Sequence, residues 1–308
     1  MFSPSSIGIA PSVIRSFLLT ILNLILQFSM NAQPIDLLKM ADRLSQQNQF
    51  SAAIAEYKRF LFFHPESDTS AFLIYRGIAT AYRGLRDWNQ SIRNFQIALS
   101  MASNDETYNE ISVDIAVTYF AAGRTDDGLL ELDRLLTAAT LPQTLHNGLS
   151  LKFAALVTKF QWSQAKIVYE SLKNTINGAL YIARGREVDS LLLLGQNYSP
   201  YSETTARWLS TIIPGLGQLY VGDIKNSLNA LALNTIVGYG AFQNFINRAY
   251  LESVLLFGAW IPRYYLGNRY RAELLAQQKN LDFNSSLAEQ ILDIHFSTSF
   301  PANKNLQR

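Results

Sequence analysis

FSAAIAEYKRFLFFHP (residues 50–65) has three counterparts further along the chain: WNQSIRNFQIALSMAS (88–103), TDDGLLELDRLLTAAT (125–140) and WSQAKIVYESLKNTIN (162–177). Aligned, they place a small residue in one register at Ala53, Ser91, Gly128 and Ala165, at spacings of 38, 37 and 37 residues. One helical turn later come Tyr57, Phe95, Leu132 and Tyr169, followed by Phe60, Ala98, Leu135 and Leu172. Upstream of each lies a second run with the same discipline. Ala41, Ala79, Ala116 and Phe153 hold its small-residue slot, and Leu44, Tyr82, Tyr119 and Leu156 follow three positions on. The period-3.6 spacing within each run predicts helices, and the fixed period of the whole predicts a repeated helix-turn-helix unit. The small residue lets two antiparallel helices approach, and the larger one fills the space toward the next unit.

The pattern resembles tetratricopeptide repeats, whose unit is about 34 residues. Pro65 stands where that family often ends its second helix. The longer unit here is assigned to the turns between repeats, at ESDTS and ASNDET. Gly128 in place of alanine, and Phe153 in a small-residue slot, depart from the family pattern. The resemblance implies an all-α helical repeat domain over 33–200, closed by a last helix in GALYIARGREVDSLLLLGQNYSPYSE, with a groove on its first helices that binds a protein or peptide partner. The residues expected to line that groove are Tyr75, Arg76, Arg83, Asn109, Asp114 and Lys152. A blander alternative has Arg76 and Arg83, seven apart, merely solvating one helix face.

Upstream of the repeats, SFLLTILNLILQFSMNAQP follows Arg15: a basic residue, an apolar core of about 12 residues and small residues at the end, the layout of a secretory signal peptide over 1–32. Cleavage is expected after Ala32, although Met30 is not the small residue such sites prefer; an uncleaved anchor and a buried helix remain open.

Downstream, TIIPGLGQLYVGD (211–223) interrupts helix-forming sequence with a proline and three glycines. Gly215, Gly217 and Gly222 do not make a dinucleotide fingerprint, and no lysine followed by serine or threonine makes a P-loop. The residues read better as a structural bend. Pro214 ends a helix, the glycines allow close backbone approach, and Gln218 can satisfy freed backbone groups. PGLGQLYVGDIKNSLNALALN also resembles the P-G-x-G-Q-x-Y-x-G signature of small bacterial membrane domains with two apolar helices, matched by Pro214, Gly215, Gly217, Gln218, Tyr220 and Gly222. The resemblance implies membrane association of a hydrophobic helical hairpin domain over 201–275, with a C-terminal tail over 276–308. Residues 226–247 are long enough to span a bilayer, at about 33 Å. Asn226, Asn229, Asn234, Gln243 and Asn244 among them, and Glu252, Pro262 and Arg263 in YLESVLLFGAWIPRYYLGN, make both segments marginal spans. A packed helical cap is the alternative.

Composition narrows the chemistry. A hydrophobic fraction of 48% excludes disorder, and a net charge of +2 gives no reason to expect a nucleic-acid partner. The absence of cysteine removes disulfides, thiolate zinc sites and a catalytic thiol. His64, His146 and His295 fall in no metal-ligand spacing, and Asp126 and Asp127 are adjacent at a turn. No metal, no cofactor and no enzymatic activity are expected. The functional expectation is a non-enzymatic scaffold, exported to the bacterial cell envelope, facing the periplasm and associated with membrane lipid through the hairpin. An accessory factor of an envelope assembly, transport or secretion complex is the alternative.

Overall fold

The computed structural model describes residues 34–64, 68–175 and 178–299; the expected signal peptide lies outside them. The described residues are helical throughout, with no strand, and form two compact units, Met1–Gly148 and Leu149–Arg308.

In the first unit the helices pack in chain order as neighbouring pairs: α1 (Pro34–Gln46) with α2 (Phe50–Phe63), α3 (Asp68–Gly84) with α4 (Trp88–Ser100), and α5 (Asp105–Ala121) with α6 (Thr125–Ala138). The arrangement is compatible with a helical repeat. Tyr57 and Phe60 join Ala41 and Ala53 in one core, and Phe95 and Ala98 join Ala79 in the next. Tyr75 packs against both. Gly128 has a local reason: a β-carbon there would run into the ring of Phe120, which covers the crossing in place of a methyl group.

Each pair is joined by three residues with the middle one left-handed: Asn48 (φ 59°), Arg86 (59°) and Gly123 (74°). The next amide donates to the carbonyl five residues back, as in Gln49 to Leu44 (2.9 Å), Asp87 to Tyr82 (3.0 Å) and Arg124 to Tyr119 (2.9 Å). This 6→1 bond satisfies a helix-end carbonyl that would otherwise be unpaired, and it fixes the reversal. Between the second and third pairs the extra length goes into residues 101–104, where the Asn104 side chain accepts the Thr107 amide at 2.8 Å and caps α5.

Helix α7 (Pro142–Thr158) begins in the first unit and ends in the second. There the same left-handed turn, at Phe160 (φ 57°), leads to α8 (Trp162–Lys173). Phe153 of α7 packs on Tyr169 at 5.1 Å and on His295 at 4.8 Å, which explains a large ring in a small-residue slot. His295 belongs to α14 (Leu266–Ser299), a helix of 34 residues that also packs on α9 (Gly178–Gln196). Thus α9 does not close the array by itself, and the segment read as a tail from 276 is helical to Ser299. Trp162 Nε1 donates to Asn284 Oδ1 at 3.0 Å, and Ser150 Oγ lies 2.8 Å from His295 Nε2.

The remaining elements are α10 (Glu203–Ile212), α11 (Leu216–Tyr220), α12 (Ile224–Ile246), α13 (Tyr250–Trp260) and a π-type turn (Ile261–Tyr265) that continues into α14. One expectation needs correction. No described helix is long and apolar enough to cross a membrane, so the hairpin does not supply two transmembrane helices. The amides at Asn226, Asn229, Asn234, Gln243 and Asn244 dilute α12, and α13 ends after 11 residues.

Candidate functional site

In the first unit, two cavities lie along the first helices of successive pairs and share Arg76. The larger, about 420 Å³, is lined by Arg76, Glu106, Asn109, Glu110, Asp114 and Thr144, among others. The smaller, about 310 Å³, is lined by Asp42, Tyr57 and Arg76 with neighbours from α1 and α3. Of the six residues expected to line a groove, Arg76, Asn109 and Asp114 converge on the larger cavity. Arg83 lies beside them, its Nη1 3.3 Å from Asp114 Oδ1 and its guanidinium 5.3 Å from the Phe95 ring. Tyr75 fills the space between two cores, and Lys152 lies in the second unit, half-buried on α7.

Arg76 does not simply solvate its helix. Its Nε donates to Asp114 Oδ2 at 2.8 Å and its Nη1 to Glu110 Oε2 at 2.7 Å, both on the next first helix. Burial works against the guanidinium charge, but Asp114 and Glu110 outweigh it and hold its pKa above the ordinary value. Beside it, Tyr57 donates its hydroxyl to Asp42 at 2.6 Å. Burial, and then the bond to Asp42, push that phenol well above its usual range. The lining therefore carries carboxylates at 42, 106, 110 and 114 around one shared arginine. Glu106, Glu110 and Asp42 are not among the residues expected from the sequence; the recurrence of carboxylates on α5 signals the first two, and nothing local signals Asp42 on α1.

In the second unit, PGLGQLY forms a packed node. Gly215 is left-handed (φ 97°), and a β-carbon there would collide with the Ser227 carbonyl. A β-carbon on Gly217 would overlap the Ala206 carbonyl oxygen and crowd Ala272. Ser210 Oγ accepts the Gly217 amide at 3.0 Å and donates to Gln218 Oε1 at 3.0 Å. Gln218, 1% exposed, donates to the Asn268 carbonyl (3.2 Å) and to Asn268 Oδ1 (2.5 Å). Tyr220 accepts the Ser202 amide at 3.2 Å. The motif binds α10, α11 and α14 together through their backbones, as a bend does.

From this node α12 and α13 extend as a finger. Trp260 Nε1 donates to Asn234 Oδ1 (3.0 Å) and Ser253 Oγ to the Ala241 carbonyl (2.9 Å), so α13 returns along α12 in constant register. The outer faces are apolar and exposed: Leu228 60%, Ile236 68%, Phe242 56%, Leu251 70%, Val254 66% and Leu255 64%.

No protein-family model matches the chain, and no curated protein matches it. Among the described residues no three histidine or acidic side chains are grouped as metal ligands.

Proposed function

We propose that this protein is a non-enzymatic scaffold of the bacterial cell envelope, exported and associated with a membrane, whose tetratricopeptide-like repeats hold a segment of a partner protein. The observation that carries the reading is the pair of cavities joined at Arg76 on the first-helix face. They offer an extended chain backbone-bonding groups (Asn109, Gln143, Thr144, Asn147) and a mostly anionic wall. The exposed finger supports membrane association, because burying it in an apolar phase removes a large apolar area from water. The PGLGQLY node supports the resemblance to two-helix membrane domains by giving Gly215, Gly217, Gln218 and Tyr220 close contacts, while Gly222 supplies a left-handed turn (φ 81°).

The test is affinity purification of the full chain from its native cells after crosslinking, comparing wild type with a Glu110→Lys, Asp114→Lys double variant. The partner is lost from the variant if the groove holds it, and retained if it does not. A second reading, an accessory factor of an envelope assembly, transport or secretion complex acting through the finger, is favoured by the finger's exposure. It predicts the opposite pattern: retention in the groove variant and loss in Leu228→Ser, Leu255→Ser.

A further inference from the structure

The finger is electrically polarised along its length. Between Lys225 and Arg263 the only charged residues are Arg248 and Glu252. Both stand at the tip, Arg248 in the left-handed turn between the helices (φ 66°) and Glu252 in the first turn of α13. The body carries no charge. The base carries several. Val221 shares a core with Ala272 and Ala276, so this stretch of α14 runs beside the turn that leads from α11 into α12. It brings Arg271 and Lys279 within electrostatic reach of Asp223. Lys225, Arg263, Arg271 and Lys279 are all exposed. Arg263 lies two turns before Arg271 on the same helical run, about 12 Å nearer the tip, and a long side chain there can reach back toward the others.

The acidic groups at this level are already engaged. Asp223 caps α12, accepting the Asn226 amide at 3.1 Å and its side-chain Nδ2 at 2.6 Å, and these bonds hold its pKa below the ordinary value. Glu273 is paired with Arg207 at 3.5 Å. Two large amphipathic rings, Trp208 (58% exposed) and Tyr270 (62% exposed), stand on α10 and α14 at the same base. A cationic ring with tryptophan and tyrosine, next to an uncharged apolar projection, is the arrangement that a headgroup layer over hydrocarbon selects.

We infer that the base of the finger is a collar for anionic phospholipid, in which Lys225, Arg263 and Arg271 meet headgroup phosphates while the uncharged body of α12 and α13 enters the acyl region. The inference rests on the membrane association proposed above and adds the lipid class. Lipid phosphate in a bilayer is the occupant, because free phosphate would leave the apolar body in water. The collar also sets orientation: the base stays at the surface and the uncharged body goes in, leading with a tip where Arg248 and Glu252 sum to no net charge.

The test is flotation of the purified full chain with vesicles of phosphatidylcholine alone or with about one part in three phosphatidylglycerol. Binding to the anionic vesicles is expected to exceed binding to the neutral ones by on the order of tenfold or more, and to fall with added salt. In the triple variant Lys225→Gln, Arg263→Gln, Arg271→Gln, binding to anionic vesicles falls to the neutral-vesicle level, with an unchanged thermal melt showing that the fold is intact. Equal binding of wild type to both vesicles, or an undiminished preference in a folded triple variant, overturns the collar while leaving membrane association standing. No binding to either vesicle overturns both. If the triple variant fails to fold, the wild-type lipid preference and its salt dependence decide alone.

Discussion

Arg76 and Asp114, on successive first helices, stand 38 residues apart, one more than the spacing of Ala79 and Ala116, and their side chains meet at 2.8 Å. Asp114 also receives Arg83 at 3.3 Å, so one carboxylate ties two arginines of the preceding helix to its own. The same contact that stitches the repeats therefore shapes the wall of the larger cavity.

Asp114→Ala removes a carboxylate that is 19% exposed and leaves two partly buried guanidinium groups without it. A loss of about 1 to 3 kcal/mol is expected. Glu110, 52% exposed, pairs with Arg76 alone, and Glu110→Ala is expected to cost about 1 kcal/mol or less. Thermal melting of the two variants checks the order; equal losses contradict it.

Phe95 is fully buried in the core shared by α3, α4 and α5. Phe95→Ala is expected to destabilise by about 3 to 5 kcal/mol. Arg93→Ala, on the exposed face of the same helix, is expected to change stability by less than about 0.5 kcal/mol. Denaturant unfolding distinguishes them.

Alanine normally stabilises a helix relative to glycine by about 1 kcal/mol. At Gly217 the sign is expected to reverse, because the new methyl group meets the Ala206 carbonyl, a backbone atom that cannot swing aside. Gly217→Ala is expected to cost about 1 to 3 kcal/mol, and Gly217→Leu more. Gln218→Ala, which leaves the Ser210 hydroxyl and the Asn268 groups short of a partner, is expected to be milder than Gly217→Leu. Limited proteolysis across residues 204–275 reads the order.

Burial, first, and then nearby Asp42 and Asp189 raise the phenols of Tyr57 and Tyr169 respectively. A phenol with a raised folded pKa stabilises the fold fully below its unfolded value, about pH 10, and that stability is lost as pH rises further. Unfolding free energy should therefore fall as pH rises above about 10, and Tyr57→Phe should reduce the slope. A slope unchanged in that variant contradicts the assignment.

The repeat register was legible because it is local and periodic: Ala53, Ser91, Gly128 and Ala165 recur at fixed spacing, and each is buried. The left-handed turns were not. Arg86 and Phe160 occupy a conformation that glycine or asparagine signals and these residues do not, whereas Asn48 and Gly123 are of the types that favour it. Phe153 looked like an error in the pattern because its partner, His295, comes from far along the chain. Helix α14 was hidden for a related reason: its buried residues, Asn268, Ala272, Ala276, Leu287, Ala288, Ile291 and His295, form a narrow stripe in otherwise polar sequence. Arg76 was legible as a polar residue of a first helix, and it lines both cavities, but the carboxylates that hold it needed the fold. The PGLGQLY bend was legible residue by residue, since proline and glycine act through backbone geometry. Whether the apolar segments cross a bilayer was not, because length alone does not weigh five amides against the surrounding apolar residues.

The most direct measurement of the scaffold reading places a photo-crosslinking amino acid in the full chain within its native cells, at Asn109 or Glu110 in the larger cavity and at Arg93 on a second helix. The account predicts one discrete protein adduct from positions 109 and 110, absent from position 93 and abolished by Asp114→Lys. Adducts of equal yield from all three positions, or an adduct unaffected by Asp114→Lys, would contradict it.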